Sequence, residues 1–502
     1  MKTKWLGLLL GLGVANSGEA KEFIIKLKGQ SFFKYAYTTS NLGAYKVLDA
    51  HEAGKLLKID IQDKKVAKVL AQVLASGEVE YAVENFKLHR FEAPFEISAL
   101  REQWALGKVN AEAAWKLAGN RGGKRVTVAV IDTGVDYRHE SLAANMVQGY
   151  DFKANDSDPM DETSAQNPGH GTHCAGIVGA TGVVENGISG LAPEVNIMPL
   201  RFLGADGSGD LMQGIKAVDF AIEKKADIIS ASWGATVSAS QAQPLIDAVK
   251  RASDAGVIFV SAAANDGKNN DKTSVYPANA VFENTITVAA SGPNDEKPSW
   301  SNYGKAKVAL ASPGLNIMST LPGAKYGNLS GTSMATPLVA GLVALLKSQD
   351  STLTGVKIRS LLQSTGAKVS IETACNCRVD AGSAMTALLN KAAYLAPAAG
   401  TLAINATQKI ELVNASGAVT FTSSNPAVAS VDATGTLKAL TKGEVTVTAK
   451  DAKGISATSL NFYVADGTDN GGGGGDGECP LGDPALCEML CGIMPDLPFC
   501  KQ

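Results

Sequence analysis

Three motifs in this 502-residue chain carry residue types that could perform nucleophilic catalysis. Asp132 ends an apolar run, His170 lies in a Gly-rich polar segment, and Ser333 follows a Gly-rich turn. A serine hydroxyl is a weak nucleophile that needs an adjacent base, and histidine can supply that base near neutral pH. The motifs are, in chain order, AVIDTGVD (129–136), NPGHGTHCAG (167–176) and GNLSGTSMATPLVAGLVALL (327–346).

Each of these residues also has an ordinary structural interpretation. Asp132 could cap a helix, His170 could be a loop histidine, and Asn265 could be a turn residue beside Asp266-Gly267. Taken singly, the structural interpretation is favoured. Taken together, four such residues at the ends of predicted strands favour catalysis.

The motifs resemble those of the subtilase family of serine proteases, and HGTHCAG resembles the variant found in proteinase K and its relatives. LGADGSG (203–209) and SAAANDG (261–267) extend the resemblance. It implies a subtilisin-like fold and a triad in which His170 is the base for Ser333, while Asp132 holds the imidazole.

The resemblance also implies how a substrate would be held. Asn265 is the predicted side-chain donor to the oxyanion, with the Ser333 N–H as the second donor. Two segments are expected to flank the peptide as strands, and two alanines to wall the first specificity pocket; the residues are Gly207, Ser208, Gly209, Ser232, Trp233, Gly234, Ala263 and Ala264. Val275 aligns near the base of that pocket, so we expect a preference for apolar residues of moderate size, unless Val275 is only a core residue.

The elements that must position these residues form an alternating pattern. Continuous apolar runs suit strands that are buried on both faces of a parallel sheet, and amphipathic helical segments lie between them. The pattern predicts an α/β doubly wound sheet, with functional residues beyond the strand C-termini. The runs are VTVAVI (126–131), NIMPL (196–200), ADIISAS (226–232), GVIFVSAAA (256–264) and TITVAA (285–290).

The N-terminal 98 residues have a different organisation. Lys2 and Lys4 precede a short apolar run and small residues, which is the layout of a secretory signal peptide. Residues 21–98 predict a small α+β unit whose last strand, VEYAVEN (79–85), resembles that of subtilase inhibitory propeptides. The resemblance implies self-cleavage within 86–105. Residues 84–105 have no clear period, which predicts a linker.

The C-terminal part changes composition again. Residues 401–464 are rich in Thr, Val, Ser and Ala with short alternating runs, which predicts a small β-sandwich and resembles bacterial Ig-like domains. The predicted domains are a signal peptide (1–20), an inhibitory propeptide (21–98), a subtilisin-like peptidase domain (99–396), an Ig-like β-sandwich (397–466), and a Gly-rich linker with a Cys-rich tail (467–502).

Cysteine usage fits an exported protein. Of seven cysteines, four lie in the tail, where two disulfides with three possible pairings are predicted. Cys375 and Cys377 pair with each other or stay reduced. Cys174 is expected to be the unpaired thiol, close to His170.

One acidic loop, DFKANDSDPMDE (151–162), is a candidate calcium site. Asp156, Asp158 and Asp161 offer the hard oxygen ligands that calcium prefers. A solvated acidic loop without an ion is the equal alternative. No cofactor is expected for the chemistry itself.

Composition limits the remaining functions. A net charge of −3 gives no basic excess for nucleic acid, and no apolar stretch reaches the ~20 residues that a membrane span needs. We therefore predict a secreted or periplasmic serine endopeptidase, made as a zymogen, which acts on proteins or peptides and is inhibited by its own propeptide. The alternative is a surface binding or adhesion protein on a subtilase scaffold, whose Ig-like module binds a cell surface or polymer. An α/β-hydrolase esterase lacks support because no G-x-S-x-G occurs in the chain.

Overall fold

The computed structural model describes residues 20–28, 45–91, 103–183, 187–465, 484–493 and 500. The chain divides into two units, one formed by Met1–Asn85 with Leu481–Gln502 and the other by Phe86–Pro480. The predicted signal peptide lies outside the described residues, apart from Ala20. No helix in the described ranges is long and apolar enough to cross a bilayer.

The first unit contains a four-stranded antiparallel sheet in the order β2-β3-β1-β4, with one helix packed on it. The helix buries an apolar stripe that includes Val66, Leu70 and Val73. Strands and one helix thus occur together here, as the predicted α+β unit requires. The elements are β1 (Ala20–Leu27), β2 (Lys46–His51), β3 (Leu56–Gln62), a 3-10 turn (Asp63–Lys65), α1 (Val66–Ala75) and β4 (Val79–Glu84).

A short tail helix, Pro484–Ile493, belongs to this first unit. It carries Cys487 and Cys491, both disulfide-bonded, and Cys491 pairs with Cys500. The predicted linker at 467–477 and Cys479 lie outside the described residues.

The second unit is built on a nine-stranded sheet in the order β18-β19-β15-β14-β12-β10-β6-β8-β7. Its pairs are parallel except at the β18/β19 edge, which confirms the doubly wound prediction. The strands of this part of the unit are β5 (Lys87–Arg90), β6 (Thr127–Asp132), β7 (Tyr150–Asp151), β8 (Asn196–Arg201), β9 (Ser208–Asp210), β10 (Ile228–Ala231), β11 (Trp233–Thr236), β12 (Ile258–Ala262), β13 (Val275–Tyr276), β14 (Thr285–Ser291), β15 (Leu310–Pro313), β16 (Ile317–Leu321), β17 (Lys325–Leu329), β18 (Ala367–Lys368) and β19 (Cys377–Arg378).

Helices cover both faces of this sheet, which is why its central strands read as continuous apolar runs. One helix, α7, is buried along almost its whole length and packs on the sheet and on α4. An all-round apolar helix is stable only in such a core. The helices are α2 (Trp104–Lys108), α3 (Ala111–Ala118), α4 (His170–Gly179), α5 (Leu211–Glu223), α6 (Gln243–Asp254), α7 (Thr332–Gln349), α8 (Gly355–Thr365) and α9 (Ala381–Leu389), with a 3-10 turn at Ala143–Asn145.

A second sheet, in the order β13-β11-β5-β9, contains a strand that the sequence did not predict. Lys87–Arg90 lies antiparallel between β9 and β11, within the stretch that we predicted to be a linker. The prediction failed because this segment takes its hydrogen-bond partners from strands far away in sequence, and its own residues show no period.

The β-rich module that ends the second unit has strands on three small sheets and a two-stranded pair around a shared core. Leu402, Ile410, Leu437 and Phe462 are buried at its centre. Its strands are β20 (Tyr394–Ala396), β21 (Gly400–Ala403), β22 (Thr407–Lys409), β23 (Glu411–Val413), β24 (Val419–Ser423), β25 (Ala429–Val431), β26 (Thr436–Ala439), β27 (Gly443–Val445), β28 (Val447–Asp451), β29 (Ser456–Thr458) and β30 (Phe462–Ala465).

Candidate active site

The fold brings Asp132 and His170 into direct contact. Asp132 is the last residue of β6 and His170 is the first residue of α4, and both are at most 2% exposed. His170 Nδ1 donates to Asp132 Oδ1 over 2.7 Å, and the backbone N–H of Thr133 donates to the same oxygen. This bond fixes the imidazole tautomer that leaves Nε2 as the basic nitrogen.

Ser333 lies at the second position of α7 and is fully buried. Its Oγ donates to the backbone oxygens of Phe91 (3.0 Å) and Ser232 (3.1 Å). His170 Nε2 is buried and has no hydrogen-bond partner among the described residues. The structure therefore leaves the basic nitrogen unpaired, while the hydroxyl contacts the carbonyl of Phe91.

Two hydrogen-bond donors converge next to Ser333. Asn265 Oδ1 accepts from Thr332 N and from Thr332 Oγ1, both at 2.9 Å, which orients the amide. Its Nδ2 is buried and unpaired in the part of the chain that the structure describes. A Cβ at Gly331 would lie 3.1 Å from Asn265 Nδ2 and 3.4 Å from Ser333 N. Both donors therefore border the same small space, which a side chain at position 331 would fill.

The residues predicted to hold substrate surround β5. Leu88 and His89 pair with Gly209 and Ser208 on one side, and His89 and Arg90 pair with Gly234 and Trp233 on the other. The Arg90 N–H donates to Gly207 O, and the Phe91 N–H donates to Ser232 O. All six predicted positions on the two flanking segments are thus placed around one extended segment of the chain itself.

The ring of Phe91 packs against Ala264 and Val275, two of the residues predicted to line the specificity pocket. The same buried cluster contains Ala278. A Cβ at Gly234 would lie 2.7 Å from Phe91 Cζ, so the glycine makes room for the ring. Ala263 differs from prediction, because its side chain packs into a separate core cluster with Ala289 and Ala311. The sequence analysis did not name Phe91 or Gly331 as site residues. Gly331 lies in the GTS motif, which could have indicated it, whereas no motif contains Phe91.

Two further groups near the triad have structural roles. His173 is fully buried, its Nε2 donates to Gly327 O over 3.0 Å, and desolvation lowers its pKa to about 3, so the ring stays neutral. Cys174 is unpaired, as predicted, with Sγ 3.9 Å from His170 Nδ1 and 3.5 Å from Ser333 O. Desolvation by burial raises the pKa of this thiol, so it remains protonated. Cys375 and Cys377 form a disulfide with each other.

The three carboxylates predicted to bind calcium do not converge on one point. Among the described residues, the one group of three potential ligand atoms within 4.8 Å of one another is Asp132, His170 and Cys174, which are the residues of the site above. Asp156 and Asp158 are exposed. Asp161 is buried, and both its oxygens accept hydrogen bonds from protein groups. Asp156, Asp158 and Asp161 therefore do not form the predicted set of calcium ligands.

A guanidinium stabilises this acidic loop instead. Arg201 ends β8 and is 5% exposed; its Nη1 donates to Asp151 Oδ2 over 2.8 Å, and its Nη2 to Glu162 Oε2 over 2.5 Å. Asp151 also accepts from the backbone N–H groups of residues 153 and 154. The positive charge that the loop carboxylates require comes from the chain itself.

Comparison with known proteins identifies the family. The model of the subtilase family matches residues 123–376, and the model of the bacterial Ig-like domain (group 2) matches residues 399–462. The chain belongs to the subtilase family. It is a subtilisin-like serine endopeptidase, a hydrolase that needs no cofactor for its chemistry, with a β-rich Ig-like domain after the catalytic domain.

Individual relatives span different cellular settings. Thermitase of Thermoactinomyces vulgaris is 40% identical over 268 residues, which cover 53% of this chain and 89% of that protein. Subtilisin NAT of Bacillus subtilis subsp. natto is 30% identical over 378 residues, 72% of this chain and 93% of the relative. The major intracellular serine protease of Bacillus subtilis (strain 168) is 40% identical over 229 residues, 45% and 70% of the two chains. Similarity to these relatives therefore does not establish the cellular compartment of this subtilase.

Proposed function

We propose that this subtilase is an exported endopeptidase made as a self-processing precursor, with Asp132, His170 and Ser333 as its catalytic triad. The observation that carries the proposal is the 3.0 Å contact between Ser333 Oγ and the carbonyl oxygen of Phe91. That carbonyl ends a strand paired on both sides, as a bound substrate would be. The bond from residue 91 to residue 92 is thus the first bond that the enzyme cuts.

The proposed chemistry uses the unpaired groups of the site. Ser333 Oγ turns toward His170 Nε2, transfers its proton there, and attacks the carbonyl carbon of residue 91. Asn265 Nδ2 and the Ser333 N–H stabilise the oxyanion, and Asp132 stabilises the imidazolium through Nδ1–H. His170 then protonates the leaving amine of residue 92, and a water molecule releases the acyl group by the same steps in reverse.

Processing can be tested by disabling the nucleophile. We expect S333A to accumulate as a chain that is uncut after Phe91, whereas the wild-type chain is split there. Intact-mass and N-terminal analysis measure the difference, and S351A, at an exposed serine, is the matched control. A split S333A chain from cells lacking other proteases would overturn the assignment of Ser333.

The pocket occupant suggests a wider substrate preference than the sequence did. Phe91 packs against the small and β-branched side chains of Ala264, Val275 and Ala278, so the pocket accepts an aromatic ring. Leu88, three residues earlier, is also fully buried, and a Cβ at Gly214 would lie 3.0 Å from it. We propose cleavage after large apolar residues, with a second apolar residue three positions before.

A peptide series tests this specificity directly. Peptides ending in Leu-His-Arg-Phe before a chromogenic amine should be cut with at least about 100-fold higher kcat/KM than the same peptides with Lys or Asp in place of Phe, because the pocket offers no counter-charge. Faster cleavage after Lys than after Phe would refute the proposed pocket while leaving the triad untouched.

Export is supported by the N-terminal pattern of Lys2, Lys4 and an apolar run, and by disulfides such as Cys375–Cys377 and Cys491–Cys500, which persist in oxidising compartments. Fractionation of an expressing cell should place the mature chain outside the cytoplasm.

We further propose the domain boundaries predicted from the sequence, except that the mature enzyme begins after Phe91. An adhesion protein on an inactive scaffold is not favoured, because the Asp132–His170 pair and Asn265 Nδ2 are ordered as catalysis requires; binding of a surface or polymer by the Ig-like domain stays a prediction.

A further inference from the structure

The loop between β7 and α4 contains a buried carboxylate that the proposed chemistry does not use. Asp161 is 5% exposed, and its two oxygens accept four hydrogen bonds. Oδ1 accepts from Thr133 Oγ1 (2.9 Å) and Asn167 Nδ2 (3.1 Å). Oδ2 accepts from the N–H (2.9 Å) and the Oγ1 (2.7 Å) of Thr172. Burying a carboxylate is costly, so such complete pairing calls for an explanation.

Every one of these donors belongs to a segment that carries the Asp132–His170 pair. Thr133 follows Asp132, and its Oγ1 accepts in turn from the N–H of Gly171, which follows His170. Asn167 Oδ1 accepts from the N–H groups of Gly169 and His170. Asp161 is therefore hydrogen-bonded, directly or through one residue, to the backbone on both sides of the Asp132–His170 bond.

The helix that begins at His170 depends on this carboxylate for its start. The residue before it, Gly169, has no side chain to cap the helix. Asp161 receives the Thr172 N–H in the first turn, where the helix dipole favours a negative charge. We propose that Asp161 is the positioning residue of the catalytic pair: it fixes the separation and orientation of Asp132 and His170. This inference rests on the proposed triad and gives the 161 carboxylate a role other than metal binding.

The conservative change to asparagine disrupts the network at a defined point. An amide can accept with only one of its two polar atoms. If that oxygen receives the Thr172 groups, the new NH₂ faces the Asn167 NH₂. One of the two contacts that orient Asn167 toward the His170 N–H is then lost, and only the bond to Glu162 O remains. In the other orientation the NH₂ faces the Thr172 N–H, which is then left buried and unpaired. Either way one branch to the catalytic pair fails, although the side-chain volume is unchanged.

The test compares D161N with D158N, an acid-to-amide change at an exposed position of the same loop. Wild-type peptide cleavage is measured first, because its absence would refute the proposed function and not the position of Asp161 in the network. Given that activity, D161N should lower kcat about 10- to 100-fold, the effect of a small misplacement of reacting groups, with KM within about three-fold. D158N should change neither constant.

A readout that a purely structural role would not move is the split between kcat and KM. The loss in D161N should fall on kcat alone, whereas a loosened fold would alter both constants. Circular dichroism checks folding, and T133V, which removes the hydroxyl on one branch at constant shape, should reproduce part of the kcat loss. Wild-type kcat in a folded D161N enzyme would overturn the proposal while leaving the triad in place.

Discussion

At the scale of single residues, the site contains polar atoms that are buried and have no hydrogen-bond partner among the described residues. They include His170 Nε2 and Asn265 Nδ2, although each side chain is oriented by a bond from its other polar atom. An unsatisfied buried donor or acceptor costs free energy. In the proposed reaction this cost is offset, because a proton arrives at His170 Nε2 and the oxyanion accepts from Asn265 Nδ2.

Removing the amide of Asn265 tests this arrangement. We expect N265A to lower kcat by about 10²–10³ with little change in KM, which is the effect reported for such a donor in subtilisin. Steady-state kinetics on the Leu-His-Arg-Phe peptide measure it, and N294A, at an exposed asparagine, is the control. A kcat within about three-fold of wild type would show that Asn265 does not stabilise the oxyanion.

Burial of Asp161 makes a second residue-scale prediction, about stability. Desolvation raises the pKa of Asp161 from 3.8 to about 6, so the folded protein holds this proton more tightly than the unfolded chain does. The resulting stabilisation is complete below about pH 4 and is lost as the pH rises through about 6. The free energy of unfolding of an S333A chain, relative to S333A/D161N, should therefore fall between about pH 4 and 7. Parallel urea-unfolding profiles across this range would contradict the shift.

At the scale of elements, two segments supply the groups next to Asp132, His170 and Ser333: strand β5 and the loop from β7 to α4. β5 completes a sheet between β9 and β11 and delivers the chain's own carbonyl to Ser333. The loop takes its positive charge from Arg201 and its anchor from Asp161. The composition of the loop suggested a metal, because its own sequence contains many carboxylates. Arg201, which pairs with Asp151, and Thr172, which pairs with Asp161, lie on β8 and α4, outside the loop.

Because Arg201 supplies the positive charge beside this loop, its removal should change the free energy of unfolding. R201A should lower the free energy of unfolding by about 3 kcal/mol, because it leaves Asp151, which is 1% exposed, without its counter-charge. K250A, which breaks the exposed pair with Asp254, should cost less than about 1 kcal/mol. Urea unfolding of the S333A chain measures both changes.

The double variant and a chelator provide the controls. D151N should recover part of the loss in an R201A background, because it removes the unpaired charge. A chelator should leave the urea-unfolding midpoint of the S333A chain that retains Arg201 unchanged. A fall in the midpoint on chelation would show that the loop carboxylates bind a metal after all.

At the scale of the whole molecule, the subtilase part and the Ig-like domain of the second unit share packing. Tyr394, Ala396 and Val413 belong to the same buried cluster as the main sheet and α7. The Ala398 N–H donates to Ser360 Oγ of α8, and Lys357 Nζ lies 3.1 Å from Glu411 Oε1. A domain joined only by a linker would show no such common core.

Shared packing predicts that the two parts stabilise each other. Deleting residues 399–465 from the S333A chain should lower the thermal midpoint of the subtilase part by several degrees, because the main core loses a cover. Amide hydrogen exchange should likewise give similar opening free energies for β14 and β28 in the full chain. An unchanged midpoint after deletion would show that the domains fold independently.

The sequence by itself determined the family, the parallel sheet, the small N-terminal α+β unit and the identity of Asp132, His170, Ser333 and Asn265. These features are written in local patterns: apolar runs, helical spacing and short motifs whose residue types the chemistry demands. Only the tertiary structure decided that residues 87–90 form a strand, that Phe91 packs against Ala264 and Val275 but not Ala263, and that Arg201 and the Thr172 groups pair with carboxylates of the acidic loop. Each of these depends on partners distant in sequence, and a carboxylate's role is set by the donor that reaches it in the fold.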